Sequence, residues 1–247
     1  MGRIETDRLP NEAVIAEEGA AGAVPDPVPT RTQGDQRRPI RRTILKTRLI
    51  PTVALTLALA APALAQTAPT RDSAQIQAGT YAVDASHTQV GWTVSHMGFS
   101  NYHGGFSDVS GSLTLDPKNP AQSKLSIKIP VASVSTTSDK LTGELKGEQW
   151  LDGAKFPEMT FVSTKVEPQG KDKAKILGNL TLHGVTKPVT LDVTLVGAGA
   201  NPMSKKYTVG FDATGTIKRS EFGVKTYVPL IGDDLHLTIA GAFERRD

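Results

Sequence analysis

The side chains best suited to chemistry in this sequence are its five histidines, which are His87, His96, His103, His183 and His236. His96 shares the parity of Val90, Trp92 and Val94, so its ring is predicted to point inward near the end of a strand. There it would either hydrogen-bond the polar end of a ligand or bond a neighbouring loop, and both readings stay open.

The other histidines have simpler interpretations. His87 follows Asp84 by three residues, and the two side chains are predicted to bond each other and the backbone of a turn. His183 at a hairpin and His236 on the outward parity of the last strand are predicted to face solvent. His87, His96 and His103 lack metal-ligand spacing and an acidic cluster, so no metal site is predicted.

Few catalytic classes remain open. With no cysteine, the chain has no disulfide, thiolate zinc site or cysteine nucleophile. Ser220 lacks a nucleophile-elbow context, and no glycine-rich phosphate loop is present. Arg219 and Glu221, two residues apart before Gly223, are predicted to pair on one side of a strand. No catalytic residue is assigned, although His96 as a general base remains an alternative.

The charge distribution argues against nucleic acid as a partner. The net charge is +3, but residues 66–247 carry 19 basic and 18 acidic residues. Their lysines are scattered singly, as on solvated faces, and form no basic stripe.

The first 65 residues are typical of a targeting segment. Residues 1–36 are predicted to be disordered or spurious, and residues 37–65 a cleavable export signal that ends at Ala65. Arg41 and Arg42 resemble a twin-arginine signal, whereas a start at Leu45 would leave an ordinary secretory signal, so the route is open. We expect a periplasmic protein without a membrane anchor after cleavage, and a linker at residues 66–78.

From residue 79 onward, apolar residues recur at every second position, which predicts strands with one buried face. Turn-rich stretches separate about eight such runs, which indicates an all-β sandwich or an up-and-down antiparallel barrel. Residues 183–188 predict a tight hairpin, and residues 138–151 either a short helix or a crossing loop.

The inward positions of these strands predict an apolar cavity, because they carry mostly medium-sized aliphatic side chains. Trp92 and Trp150 would flank this cavity, or Trp92 would close the barrel floor. The candidate ligand-binding residues are Trp92, Val94, His96, Leu113, Ile127, Ile129, Phe161, Leu180, Leu182, Leu191, Val193, Val209, Phe211, Leu237 and Ile239.

Four motifs in order resemble those of the YceI-like family of periplasmic proteins. They are residues 81–88 (YAVDASHT), 156–161 (FPEMTF), 178–189 (GNLTLHGVTKPV) and 218–223 (KRSEFG). One departure is Glu144, which stands where the family usually has a histidine. The resemblance implies a single lipocalin-like up-and-down barrel over residues 79–247, with a pocket for polyisoprenoids or isoprenoid quinones.

The resulting hypothesis is a periplasmic carrier that binds a long-chain isoprenoid-type lipid and is not an enzyme. No cofactor is assigned beyond a bound isoprenoid quinone or polyprenyl lipid. The alternatives are an enzyme acting on a hydrophobic substrate and a stress-related module that docks on another protein. Whether the barrel forms a homodimer stays open.

Overall fold

The computed structural model describes residues 68–246, which contain eleven strands and one α-helix. The strands are β1 (Gly79–Val83), β2 (Gln89–His96), β3 (Ser100–Phe106), β4 (Ser110–Leu115), β5 (Lys124–Pro130), β6 (Val134–Thr136), β7 (Glu158–Pro168), β8 (Lys173–Leu182), β9 (Val185–Ala200), β10 (Tyr207–Lys218) and β11 (Ile231–Arg245). The helix is α1 (Asp139–Leu145).

Eight of these strands close into an antiparallel barrel. Their order around the wall is β1, β4, β5, β7, β8, β9, β10 and β11, and β11 pairs again with β1. Closure leaves none of these eight strands with an open edge along its whole length. The structure therefore confirms the all-β up-and-down barrel and decides against the sandwich.

The other three strands continue the barrel wall at one end. β2 continues the line of β1 and pairs with β11. β3 lies in line with β4 and pairs with β2, and β6 lies in line with β5 and pairs with β3. Three long strands are thus interrupted once each, near residues 84–88, 107–109 and 131–133. We call the end at which β2 turns into β3 the upper end, and the opposite end, where β1 begins, the lower end.

The connections follow local turn chemistry. His183 and Gly184 form a two-residue turn between β8 and β9 with φ of 50° and 75°, as the hairpin prediction required. The segment after β6 begins with α1, whose first turn is capped by the Ser138 hydroxyl accepting from the Leu141 amide. This helix and residues 146–157 lead to β7 across the upper end.

Aliphatic and aromatic side chains line the inside of the barrel in two clusters. One cluster occupies the middle and upper part, where Trp92, Phe161 and Phe222 are buried. The other lies towards the lower end around Tyr81, whose hydroxyl donates to the Gln77 carbonyl. Burial raises the pKa of this tyrosine.

The predicted extension at residues 1–36 and the predicted export signal at residues 37–65 lie outside the described residues. The described part of the expected linker, residues 68–78, packs on the barrel. Thr70 pairs with Ala198 through two backbone hydrogen bonds of 2.8 Å, and the Ile76 side chain is buried in the lower cluster. Within residues 68–246, no helix is long and apolar enough to cross a membrane.

Candidate functional site

The inside of the barrel encloses a cavity of about 500 Å³. Side chains from the whole height of the wall line it, from Leu115 near the lower end to His96 near the upper end. This volume falls within the range of roughly 300–1,000 Å³ that is usual for small-molecule sites. Because the lining is almost entirely hydrocarbon, the cavity suits an apolar ligand with few polar groups.

The structure places fourteen of the fifteen predicted residues on the cavity wall. These are Trp92, Val94, His96, Leu113, Ile127, Ile129, Phe161, Leu180, Leu182, Leu191, Val193, Phe211, Leu237 and Ile239. The placement of Val209 on the wall is wrong. Val209 has the inward parity but is fully buried in the lower cluster with Tyr81 and Phe243, so it does not reach the cavity.

Close contacts between rings and glycines shape the wall. A Cβ atom at Gly104 would lie 2.1 Å from the Trp92 ring, and one at Gly178 would lie 2.3 Å from the Phe161 ring. The glycines on these strands thus accommodate aromatic rings that lie flat against the backbone. Trp92 and Trp150 both face the cavity, as the first of the two sequence interpretations expected.

His96 is the imidazole at the upper end of the cavity. Its ring is half-buried and lies 6.2 Å from the Tyr102 ring, centroid to centroid. Within residues 68–246 no protein group hydrogen-bonds to this ring. The imidazole is therefore available to a ligand in the cavity.

The other four histidines each bond a protein group. The pairs are His87 Nδ1 with Asp84 at 2.6 Å, His103 Nδ1 with the Thr93 hydroxyl at 2.8 Å, His183 Nδ1 with the Phe222 carbonyl at 3.2 Å, and His236 Nδ1 with the Thr216 hydroxyl at 3.0 Å. The predicted bond between Asp84 and His87 and the exposure of His236 are confirmed.

The predicted exposure of His183 is wrong. Its ring is half-buried, because it packs edge-on to Phe156 at 4.8 Å and against the Phe222 carbonyl. Both partners come from distant parts of the chain, which the hairpin pattern alone does not reveal.

The predicted pairing of Arg219 with Glu221 is also wrong. Arg219–Phe222 is a 3₁₀ helix and not a strand, so positions two apart do not share a face. Gly223, with φ of 86°, ends this turn in the left-handed region that favours glycine.

Arg219 instead fixes the segment that follows it. Its Nε donates to the Gly232 carbonyl at 2.9 Å, Nη1 to the Val224 carbonyl at 3.0 Å, and Nη2 to the Ile231 carbonyl at 2.8 Å. Its guanidinium lies 5.6 Å from the Trp150 ring, and the side chain reaches the cavity wall. Burial lowers the pKa of this guanidinium, which nevertheless stays protonated at neutral pH.

A second link holds the same segment. The Asp233 carboxylate accepts from the Ser220 amide at 2.9 Å and from the Ser220 hydroxyl at 2.7 Å. Burial alone would raise the pKa of Asp233. The two bonds from Ser220 and the charges of Lys218 and Arg219 outweigh burial and hold that pKa below its ordinary value.

Sequence reasoning missed the residues that loops and the helix bring to the cavity. At the upper end these include Met97, Leu141, Glu144 and Tyr227. At the lower end they include Lys171 and Asp172. Strand parity cannot identify such residues, because they reach the cavity through the course of connections and not through alternation.

Within the described part of the chain, no group of three or more histidine, cysteine or acidic residues could hold a metal ion. The described cavity thus offers hydrocarbon along its length and one unpartnered imidazole near the upper end.

Comparison with known proteins identifies a family that this chain matches. The model of the YceI-like domain family matches residues 81–243. Protein YceI of Escherichia coli O6:H1 is 39% identical over 165 residues, which cover 66% of this chain and 85% of that protein.

Two solved structures share the fold. Burkholderia cenocepacia BcnA superimposes with a TM-score of 0.59 at 29% identity, covering 65% of this chain and 98% of BcnA. A polyisoprenoid-binding domain from Saccharophagus degradans superimposes with a TM-score of 0.53 at 15% identity, covering 69% and 100% of the two chains. The second resemblance concerns the fold alone.

Proposed function

Because this chain belongs to the YceI-like family, we propose that it is a binding protein that carries a long isoprenoid-type lipid in the barrel. The observation that carries the proposal is the apolar cavity of about 500 Å³, which extends along the height of the barrel. The Saccharophagus degradans domain, described as polyisoprenoid-binding, has the same fold and supports this ligand class.

The proposed binding is driven by burial of hydrocarbon. Each methylene group removed from water contributes about 0.8 kcal/mol, so a tail of many carbons needs few polar contacts. Among residues 68–246 the cavity wall is mostly aliphatic, and few polar groups are present to fix one tail in one register. Selection would therefore depend on the length and shape of the tail.

The polar end of the ligand is proposed to lie near His96. This imidazole lines the cavity and has no hydrogen-bond partner among the described residues. It can donate to a quinone carbonyl or to an oxygen of a polyprenyl head group. The three bonds that Arg219 makes to backbone carbonyls leave it less available for that role.

The periplasm is the proposed site of action. The support is the basic region, apolar run and small-residue cleavage site at residues 37–65. The twin-arginine and ordinary secretory routes are both compatible with this proposal.

The enzyme alternative receives less support from the surroundings of His96. Within residues 68–246, its ring has an aromatic neighbour, Tyr102, and no carboxylate in ion-pair contact. A general base in a histidine-dependent mechanism is commonly oriented by such a partner.

Substitutions that fill the cavity test the proposal. Val193→Trp and Ile127→Trp add bulk to inward positions, so we expect lipid binding to fall by at least about ten-fold while the barrel still folds. The measurement is the amount of polyprenyl lipid or quinone retained per protein, with circular dichroism to check the fold.

Val162→Trp is the matched control. Val162 is 48% exposed on the outer face of β7, so the same increase in volume leaves the cavity unchanged. Equal lipid retention in folded Val193→Trp and in Val162→Trp would contradict binding inside the barrel.

A further inference from the structure

We propose that the upper end of the barrel docks on the surface of a lipid bilayer. The inference rests on the proposed lipid-binding function and adds the partner from which the ligand is taken or to which it is delivered. Its basis is a patch of exposed apolar side chains that we call the apolar rim. The rim consists of Met97, Phe99, Tyr227 and Leu230, which are 50%, 91%, 63% and 64% exposed.

The four rim residues belong to two adjacent loops. Residues 97–99 connect β2 to β3, and residues 223–230 lead into β11. The Met97 amide donates to the Leu230 carbonyl at 2.9 Å, and His96 pairs with Ile231 immediately below. The rim is therefore one continuous apolar surface. Single apolar side chains scattered over a surface are common in proteins, whereas a continuous patch indicates an interaction site.

The rim is also continuous with the cavity. Met97 and Tyr227 line the cavity and are exposed at the same time. Tyr227 packs on Trp150 at 6.2 Å between ring centroids, and the Thr226 hydroxyl donates to the Gln149 carbonyl. The surface that faces solvent thus leads directly to the surface that would hold the lipid tail.

The chemistry of the rim fits a bilayer interface. Phe99 and Leu230 offer side chains for the acyl boundary, and tyrosine is favoured at the level of the headgroups. Among residues 97–101 and 223–230 the only formal charge is that of Lys225, an exposed lysine two positions from Tyr227. A positive charge at this position complements anionic headgroups.

The lower end has a different character. The cavity there is bordered by Lys124, Lys171, Asp172 and Lys173, which favour water over hydrocarbon. The turn between β9 and β10 exposes one large apolar residue, Met203, at 88%. The upper end carries charges as well, on Lys140 and Glu144 of α1, but within the described residues it alone has a cluster of exposed apolar side chains beside the cavity. The rim therefore sets one orientation, with the cavity mouth towards the membrane.

Vesicle co-sedimentation tests the proposal. The purified protein is mixed with vesicles of phosphatidylcholine and phosphatidylglycerol, and the bound fraction is compared between variants. In the double variant Phe99→Ser with Leu230→Ser, we expect the affinity for vesicles to be at least about ten-fold weaker. The reason is that docking no longer transfers these two apolar side chains from water into the bilayer. Met203→Ser, which removes an apolar side chain that is 88% exposed at the other end, should bind like the wild type.

A second readout separates docking from lipid binding. All three positions lie outside the inward-facing wall, so the purified variants should retain as much extractable lipid as the wild type. Loss of vesicle binding with unchanged lipid content supports docking. Wild-type protein that retains lipid but does not sediment with vesicles overturns docking and leaves the proposed function intact.

Association with protein is the remaining outcome. If ultracentrifugation shows a dimer that Phe99→Ser dissociates, and vesicle affinity is the same in wild type and double variant, then the rim is an interface between copies. That result overturns bilayer docking.

Discussion

At the scale of single residues, His96 differs from the other four histidines in its hydrogen bonds. Four imidazoles bond protein groups and thereby fix turns or strand pairs, whereas the His96 ring has no such bond within residues 68–246. A half-buried imidazole at the end of an apolar cavity is a polar group whose proposed partner is the ligand.

The proposed contact between the His96 ring and the ligand can be tested by substitution. We expect His96→Ala to weaken binding of an isoprenoid quinone by about ten-fold, the equivalent of one lost hydrogen bond, without lowering thermal stability. Binding can be followed by quenching of tryptophan fluorescence, since Trp92 and Trp150 face the cavity. The control is His236→Ala, which removes an exposed imidazole on the outer face of β11. Equal affinities in the two variants would refute a head-group contact at His96.

Residue positions were predictable from sequence wherever alternation alone decides them. Inward parity placed Ile127, Phe161 and Val193 on the cavity wall, because side chains of a strand alternate strictly between its faces. Parity failed at Val209, because it gives the face of the strand but not the position along the barrel axis. Near the lower end the inward face packs against Tyr81 and does not border the cavity. The partners of Arg219 were equally hidden, because they are backbone carbonyls up to 13 residues away.

At the scale of elements, the segment that links β10 to β11 is held from both sides. Arg219 bonds the Val224 carbonyl within this segment and the carbonyls of Ile231 and Gly232 at the start of β11, and Ser220 bonds the Asp233 carboxylate beside them. The same segment presents Tyr227 and Leu230 to solvent. Anchoring of both ends keeps these apolar side chains at the cavity mouth although solvent surrounds them.

The carboxylate link should respond to pH. The pKa of Asp233 in the folded state lies below its ordinary value of 3.8, so the native state favours the ionised form. The stabilisation is therefore complete above the unfolded-state pKa and is lost as the pH falls through the folded-state pKa. We expect Asp233→Asn to lower the free energy of unfolding at pH 7 by about 1 kcal/mol, and this difference to shrink in strong acid.

Urea denaturation at several pH values measures this effect. Asp234→Asn is the matched control, because Asp234 pairs with Lys218 on the surface, where both side chains are about half exposed. A pH-independent loss in Asp233→Asn, or an equal pH-dependent loss in Asp234→Asn, would contradict the assigned role of Asp233.

The type of each element was predictable from the sequence, whereas the interruptions of the long strands mostly were not. The alternation of apolar residues gave the strands and the hairpin at His183 and Gly184, because these features depend on neighbouring residues. The predicted turn at Asp84 and His87 indicated the break at residues 84–88, whereas those at residues 107–109 and 131–133 had no such signal. They depend on how far each long strand must bend for the sheet to close, which is a property of the whole wall.

At the scale of the whole molecule, closure and composition together account for the cavity. Eight strands enclose a lumen that side chains either fill or leave open for one ligand. Only 5% of the residues are aromatic, and the largest rings on the wall lie flat against glycines, so a lumen of about 500 Å³ remains. Composition indicated such a lumen, but its volume depends on packing between strands far apart in sequence.

Lipid occupancy of the barrel can be measured by native mass spectrometry of the protein purified from a bacterial periplasm, followed by organic extraction and identification of what is released. We expect a bound isoprenoid quinone or polyprenyl lipid at about one molecule per barrel, and its loss in Val193→Trp but not in Val162→Trp. A folded protein that is empty, and that takes up neither added quinones nor polyprenyl lipids, would contradict this expectation.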